Sequence, residues 1–254
     1  MAKSNKRRFE TSPDDTASNI RELGNKKKFH PHDLINLRPK NPRQEVFFDH
    51  YNDGKEVIIL DGPAGCGKTF ISLYAACHEV FDESTPYDQV VVVRSAVDLR
   101  DQGFLPGGQD EKNASYETPY KGVLDEIIKY KDNYDNMKAL GYYNFITTGH
   151  VRGITLHRTI MIVDECQNLD YDELLSVLTR VGEHSKIIMI GSMRQNDLKR
   201  KRERSGFEKM KKVLRLGLPY GEVGNVDFQI EDSSARSQLV GKIVSADYYF
   251  GHEE

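Results

Sequence analysis

Gly62-Pro63-Ala64-Gly65-Cys66-Gly67-Lys68-Thr69 is a complete G-x-x-x-x-G-K-T pattern. It follows directly on the run Val-Ile-Ile-Leu-Asp at residues 57–61, which is typical of a buried strand, and it precedes helical apolar spacing at residues 70–76. In such an arrangement, the glycines allow backbone N–H groups to turn inward on phosphate oxygens at the start of a helix. The stretch therefore predicts a phosphate-binding loop and, around it, an α/β fold.

The side chains of this loop have distinct predicted tasks. Lys68 is expected to reach the β- and γ-phosphates of a nucleoside triphosphate, and the hydroxyl of Thr69 is expected to bind Mg²⁺. The residues predicted to contact the nucleotide are Gly62, Pro63, Ala64, Gly65, Cys66, Gly67, Lys68, Thr69 and Phe70. The alternative is a glycine-rich turn without a ligand, but the flanking strand and helix favour the phosphate loop.

The length and composition of the chain limit what can surround the loop. With 254 residues, the chain is long enough for one α/β domain and too short for two full ones. The formal net charge of −3 does not indicate a nucleic-acid binder, so local charge has to support that function. The three cysteines lack metal-ligand spacing, and the sequence shows neither a signal peptide nor a membrane-spanning run. A cytoplasmic protein without membrane contact is expected.

The remaining segments predict a layered architecture. Residues 1–38 are polar and are predicted to form a flexible arm, whereas residues 39–254 are predicted to form the domain. Short runs rich in β-branched residues alternate with helical segments, as in a parallel sheet covered on both faces. Strands are predicted at 57–61, 90–93, 144–147, 160–163, 187–190 and 226–230, and helices around 43–51, 119–132, 171–181, 205–215 and 235–247. The expected fold is a doubly wound parallel sheet that binds ligands at the carboxyl ends of its strands, and residues 98–120 are expected to form a long loop.

An acidic pair marks the second half of the predicted site. Asp164 and Glu165 follow the apolar run at residues 160–163, at the carboxyl end of a predicted strand. There, Asp164 can join the Mg²⁺ shell, and Glu165 can orient and polarise an attacking water. The alternative is that the pair only caps the helix that begins near Asp170. The combination with the phosphate loop favours a nucleotide-hydrolysing site.

A third polar position follows the predicted strand at residues 187–190. Gln195 lies within the stretch 191–197, beyond the tip of a strand expected to neighbour the phosphate loop. A polar side chain there can touch the γ-phosphate, so Gln195 is the predicted sensor. A surface turn is the alternative for this stretch.

Several stretches of the chain resemble one family. After the phosphate loop these are Gly103-Phe104-Leu105-Pro106-Gly107, Arg152-Gly153-Ile154-Thr155-Leu156, Asp164-Glu165-Cys166-Gln167-Asn168, Leu178-Thr179-Arg180-Val181-Gly182 and Ser205-Gly206-Phe207. In this order they resemble the PhoH-like family of bacteria and their phages, from about Pro39 to the C-terminus. The resemblance implies a RecA-like P-loop NTPase core that uses ATP and Mg²⁺, akin to one motor domain of superfamily 1 helicases. The chain is similar to the short, stand-alone form of the family, which includes phage-encoded versions that act in the host cytoplasm.

The resemblance also implies roles for residues outside the loop. Gln44 resembles the glutamine that reads adenine in helicase-like motors, and an exposed polar residue is the alternative. Arg94 resembles an arginine near bound single strand, although Ser95 replaces the proline that usually follows it. Arg236 resembles an arginine before the final helix that can act as an arginine finger, within the subunit or across an oligomer interface. A solvated or ion-paired surface arginine is the alternative there.

Two departures from the family pattern carry predictions of their own. Cys66 stands where threonine is more usual, which adds a predicted oxidation-sensitive thiol beside the phosphates. Ser192 stands where aspartate is usual, which predicts slow hydrolysis.

A basic run gives the local charge that a nucleic-acid partner requires. Residues 199–204 read Lys-Arg-Lys-Arg-Glu-Arg, and Lys199 and Arg200 are predicted to contact RNA or single-stranded DNA, with a solvated face as the alternative. Several tyrosines offer surfaces on which bases could stack, although core and surface packing explains most of them more simply. They are Tyr116, Tyr120, Tyr130, Tyr134, Tyr142 and Tyr143.

The expected function is an ATPase coupled to RNA or single-stranded DNA. One motor domain cannot step along a strand alone, so a homo-oligomer such as a hexamer is expected. The alternatives are a non-hydrolysing ATP-dependent switch that controls a protein partner, a small-molecule kinase, and a nucleic-acid-binding module in which ATP only stabilises the fold.

Overall fold

The computed structural model describes residues 28–95, 109–129, 133–192, 206–219 and 221–250. Its strands are β1 (Val57–Asp61), β2 (Gln89–Arg94), β3 (Tyr143–Thr147), β4 (Thr159–Asp164), β5 (Lys186–Gly191) and β6 (Val223–Asp227). Its α-helices are α1 (Pro42–Asn52), α2 (Lys68–Val80), α3 (Gln109–Ile127), α4 (Asn133–Ala139), α5 (Tyr171–Leu178), α6 (Gly206–Gly217) and α7 (Gln238–Phe250). Short 3₁₀ helices span Pro31–Asp33, Cys166–Asn168 and Ile230–Ala235.

The strands form one sheet of six in the order β3-β2-β4-β5-β1-β6, and each paired neighbour runs parallel. Strand β5 lies between β1, which leads into the phosphate loop, and β4, which ends in Asp164. All carboxyl ends of parallel strands meet at one edge, so the loop and the acidic pair face the same crevice. The doubly wound parallel sheet predicted from the sequence is confirmed.

Helices cover both faces of the sheet because successive strand residues alternate in direction. In β1, Ile58 and Leu60 pack with α1, α2 and α3, whereas Val57 and Ile59 pack with α5 and α6 on the other face. Burial of each such side chain contributes about 1.5–3 kcal/mol, so the two apolar layers hold the strands in place. Among the described helices, none is long and apolar enough to cross a membrane.

The folded part of the chain begins earlier than predicted. Phe29 and Leu34, which are 6% and 2% exposed, lie in the core, where Phe29 stacks on Phe81 with ring centroids 4.9 Å apart. Leu34 also forms a β-bridge with Ile128. Residues 28–38 therefore pack against the domain, which contradicts their assignment to a flexible arm. A few apolar residues in a polar stretch anchor it, which average composition cannot reveal.

Two further boundaries differ from the sequence prediction. Residues 109–120 belong to α3 instead of a loop. The sequence did not reveal this because the segment contains Pro119 and lacks the regular apolar spacing that marks most helices. Strand β6 begins three residues before the predicted start at Val226. Gly224, an unfavourable strand residue, fits there because a Cβ would lie 2.8 Å from His50 of α1.

Candidate nucleotide and magnesium site

The loop between β1 and α2 has a backbone that only glycine adopts readily. Gly62, Gly65 and Gly67 have φ angles of 147°, 84° and 79°. An added Cβ would lie 2.5 Å from the Cβ of Phe228 at Gly62 and 2.5 Å from the Ser233 carbonyl oxygen at Gly65. Both conformation and space therefore require glycine at these two positions. The narrow cradle ahead of a helix N-terminus fits the phosphates of a nucleotide.

Lys68 is held over this loop by backbone carbonyls. Its Nζ donates hydrogen bonds of 2.7 Å to both the Gly62 and the Pro63 carbonyl oxygens. Burial lowers the pKa of Lys68, and nearby groups that include Asp164 and Glu165 oppose this shift. Charged phosphate oxygens are stronger acceptors than these neutral carbonyls, so a bound phosphate can attract the ammonium group.

Thr69 and Asp164 meet although they come from different parts of the fold. The Thr69 Oγ1 hydroxyl donates to Asp164 Oδ2 at 3.2 Å, and the backbone N–H of Glu165 donates to Asp164 Oδ1 at 2.9 Å. Mg²⁺ prefers oxygen ligands and usually takes only one or two carboxylates together with phosphate oxygens and water. The Thr69 and Asp164 oxygens fit this ion. In the described part of the chain, no cluster of three or more His, Cys, Asp or Glu residues could hold a metal by itself.

Glu165 adopts a strained backbone conformation beside the metal residues. Its φ of 56° and ψ of 40° lie in the left-handed region, which costs about 1–3 kcal/mol for residues other than glycine and recurs at functional sites. Burial, reinforced by the charge of Asp164, raises the pKa of the Glu165 carboxyl. A carboxylate with a raised pKa is a better proton acceptor, as water activation requires.

Gln167 links this carboxylate to the neighbouring strand. Its Nε2 donates to Glu165 Oε2, and its Oε1 accepts from the backbone N–H of Ser192 at 2.9 Å. Sequence reasoning gave Gln167 no role, although it lies in one of the family-like stretches. The available signal was its position two residues after Glu165 in the stretch Asp164-Glu165-Cys166-Gln167-Asn168.

Tyr120 of α3 is a second residue that sequence reasoning did not place at the site. Its hydroxyl donates to Asp164 Oδ2 at 3.0 Å. Arg94, at the end of β2, lies nearby with its guanidinium carbon 5.4 Å from the centre of the Tyr116 ring. Burial and then Asp164 raise the pKa of Tyr120, and the Arg94 charge opposes them. The Arg94 charge also acts on Glu165, so Arg94 lies close to the acidic pair, and its role toward a nucleic acid stays a prediction.

Gln44 lies against the phosphate loop and is only 3% exposed. Its Nε2 donates to the Cys66 carbonyl oxygen at 2.9 Å, and its Oε1 accepts from the Lys40 backbone N–H at 2.9 Å. Asn41 caps α1 by accepting from the Gln44 backbone N–H at 2.9 Å, which fixes the start of the helix. The alternative of an exposed polar residue is therefore wrong.

Arg236 contacts the loop through its backbone. Its N–H donates to the Gly65 carbonyl oxygen at 3.0 Å, and the preceding Ala235 carbonyl accepts from Lys40 Nζ at 2.9 Å. The Arg236 side chain is exposed. It is thus accessible to another molecule, and the structure brings its backbone to the phosphate loop.

The predicted oxidation-sensitive thiol is not supported. Cys66 is fully buried, with its Sγ 3.9 Å from Ser233 Oγ, and burial raises its pKa. Burial and the raised pKa both disfavour the reactive thiolate. The prediction was wrong because the thiol faces the segment 229–233 and is closed off from solvent.

Gln195, Lys199, Arg200 and the stretch 103–107 lie outside the described residues, and their roles stay predictions.

Comparisons with known proteins agree with this geometry. A family model described as PhoH-like protein matches residues 36–248. The chain is 31% identical to a PhoH-like protein of Bacillus subtilis (strain 168), over 84% of this chain and 63% of that protein. It is 33% identical to a PhoH-like protein of Synechocystis sp., over 83% and 62% of the two chains, and 28% identical to one of Mycobacterium bovis, over 86% and 59%.

The chain spans between 59% and 63% of the length of these three relatives. The matched residues include the phosphate loop, the acidic pair and the segment that packs on the loop. Because the family model covers most of the sequence, the chain belongs to the PhoH-like protein family, and this membership implies nucleotide binding of the P-loop ATPase type.

Proposed function

We propose that this protein binds ATP with Mg²⁺ and hydrolyses it to ADP and phosphate. The observation that carries the proposal is the meeting of Thr69 and Asp164, whose oxygens are 3.2 Å apart beside a glycine cradle. A loop that only bound phosphate would not need a buried carboxylate and a strained Glu165 at the same edge. Family membership supports the nucleotide, and the geometry supports the reaction.

Each residue has one task in this proposal. The loop N–H groups and Lys68 bind the β- and γ-phosphates, and Thr69 and Asp164 hold Mg²⁺. When bound, Mg²⁺ neutralises part of the charge on the phosphate oxygens. Glu165 orients the attacking water and accepts its proton, while Gln167 keeps the Glu165 carboxylate in place.

Gln44 would select ATP by its amide group. An amide carries two donor hydrogens and two acceptor lone pairs. The bonds to Lys40 and Cys66 use one of each, so capacity is left for N6 and N7 of adenine. This same amide supports the loop, which would couple recognition of the base to the shape of the phosphate cradle.

We further propose that RNA or single-stranded DNA stimulates the reaction, in a cytoplasmic homo-oligomer such as a hexamer. Arg94 beside Tyr116 offers a cation and an aromatic ring near the acidic pair, and Lys199 and Arg200 supply the predicted basic patch. Arg236 is exposed next to the loop, where it could act on a neighbouring subunit. Apolar side chains of α7 that are open to a partner copy are Leu239, Ile243 and Phe250.

A second candidate function is an ATP-dependent switch that does not hydrolyse at a useful rate. Ser192 favours it, because a buried serine at the tip of β5 cannot supply the carboxylate that the family usually has there. In that case ATP binding alone would control a protein partner.

Phosphate release from ATP with Mg²⁺, measured with and without single-stranded RNA and DNA, separates these functions. Glu165→Gln is the test variant, and Glu126→Gln, an exposed residue of α3, is the matched control. Turnover that Glu165→Gln abolishes and one polymer raises supports the coupled ATPase. Turnover that no polymer changes would contradict the nucleic-acid partner, and absent turnover with intact ATP binding would favour the switch.

A further inference from the structure

Tyr120 is the described side chain of α3 that reaches the carboxylate of Asp164. It is 2% exposed, and its ring packs at 5.8 Å, centroid to centroid, from Phe145 of β3. Burial and this ring contact restrict the Tyr120 ring, so its hydroxyl has a defined direction. That direction leads to Asp164 Oδ2, 3.0 Å away.

The carboxylate of Asp164 is held from three elements at once. Oδ2 accepts from the hydroxyls of Thr69 in α2 and Tyr120 in α3, and Oδ1 accepts from the backbone N–H of Glu165. A carboxylate has about four lone-pair directions, so three protein donors leave about one for a metal ion or its water. The hydroxyl of Tyr120 fixes Oδ2 and thereby the rotation of the whole carboxylate group. The direction of the remaining lone pair therefore depends on Tyr120.

We propose that Tyr120 is a positioning residue for the magnesium site: it sets the direction in which Asp164 presents its free lone pair. The inference rests on the proposed function, because it assumes a metal ion between Asp164 and the phosphates. Tyr120 acts through Asp164 and touches neither the nucleotide nor the ion. It also makes α3, which begins directly after the stretch 96–108, a support of the metal residues.

A second buried tyrosine provides the control. Tyr143 of β3 is also 2% exposed, and among the described residues its hydroxyl has no hydrogen-bond partner. Tyr120→Phe and Tyr143→Phe remove the same atom from equally buried rings. Only the first removes a bond to a predicted metal ligand.

The test measures metal binding directly. Mn²⁺ replaces Mg²⁺ as a paramagnetic probe, and its affinity is measured by electron paramagnetic resonance in protein saturated with a non-hydrolysable ATP analogue. Loss of a residue that orients a metal ligand typically weakens metal binding about 10–100-fold. We expect Tyr120→Phe to weaken Mn²⁺ binding about tenfold, at the lower end of that range, and Tyr143→Phe to leave it unchanged. Excess Mg²⁺ should restore much of the turnover of Tyr120→Phe.

Three outcomes would overturn the inference. Mn²⁺ affinity of Tyr120→Phe equal to or tighter than wild type would do so, as would equal weakening in Tyr143→Phe. A lower melting temperature of metal-free Tyr120→Phe with unchanged Mn²⁺ affinity would assign the hydroxyl a packing role only. If wild-type protein binds no Mn²⁺ with the nucleotide, the proposed function itself fails, and that result is distinct from a defect confined to Tyr120→Phe.

Discussion

Lys68 and Lys186 lie at opposite ends of the sheet, and burial lowers the pKa of both. At the amino end, Lys186 is 2% exposed, with its Nζ 3.8 Å from the Tyr51 ring centre and 3.5 Å from Glu79 Oε1. At the carboxyl end, Lys68 donates to two neutral carbonyls of the loop.

The difference between the two lysines lies in their partners. Lys186 is paired with an anion and an aromatic ring of the same fold, which offset part of the cost of burying its charge. Lys68 donates hydrogen bonds only to neutral carbonyl groups in the described structure, so a charged phosphate would bind its ammonium group more strongly than its present partners do. A lysine withdrawn from water therefore serves structure at one end of the sheet and is suited to ligand binding at the other.

The largest effect is expected for Lys68→Met. Loss of charge-assisted bonds to the phosphates should reduce turnover about 10²–10³-fold, the usual cost of removing one such group from a transition state. The melting temperature of the nucleotide-free protein should stay the same or rise, because a partly buried charge is removed. Steady-state phosphate release and calorimetry measure the two quantities. If Lys68→Met had the turnover of the wild-type protein, Lys68 would not bind the phosphates, and the functional difference between Lys68 and Lys186 would be contradicted.

A pair of glycines tests whether the cradle itself is specific. Gly65 and Gly141 both have positive φ, but a Cβ at Gly65 would meet the Ser233 carbonyl at 2.5 Å, whereas at Gly141 it would meet nothing within 4 Å. Gly141→Ala should cost about 1 kcal/mol of unfolding free energy from backbone strain alone. Gly65→Ala should lower the free energy of unfolding by more than Gly141→Ala does. It should also weaken binding of a fluorescent ATP analogue at least about tenfold, since loss of one hydrogen bond from a shifted N–H group to a phosphate costs about 1.4 kcal/mol.

Equal losses of stability and normal nucleotide binding in both glycine variants would show that the close contact with Ser233 does not shape the loop. Denaturant unfolding of the nucleotide-free proteins gives the stability difference, so that binding does not contribute to it.

Lys186→Met tests the opposite end of the sheet. Loss of the contacts with Tyr51 and Glu79 should lower the free energy of unfolding by about 1–2 kcal/mol, as for a desolvated cation–π pair. Turnover should remain that of wild type, because the site lies at the other edge. A loss of turnover in correctly folded Lys186→Met would contradict the division between the two ends.

The smallest effect concerns pH. The pKa of Lys186 is lowered in the folded state, so the unfolded chain binds more protons between that lowered pKa and the ordinary lysine value of about 10.4. Wild-type stability should therefore rise, relative to Lys186→Met, as pH increases through this window. Unfolding curves of both proteins at several alkaline pH values check the sign, and a falling difference would contradict it.

Local sequence was sufficient for the frame of the site. The loop, the strand before it and the acidic pair each follow from contiguous residues whose period and chemistry are visible in the chain. Gln167 and Tyr120 were not predicted because their roles arise from contacts across the fold, and Tyr120 lies 44 residues from Asp164. The attachment of Phe29 to the core was missed for the same reason.

The bond from the Arg236 N–H to the Gly65 carbonyl is made by peptide groups alone. Every residue except proline can supply that donor, so the side chain at position 236 can be substituted without loss of this bond to the loop. The exposed side chain of Arg236 is therefore not constrained by this hydrogen bond. Substitutions at position 236 therefore fall into two kinds: proline removes the bond that supports the loop, whereas any other residue keeps the bond and changes only the exposed side chain.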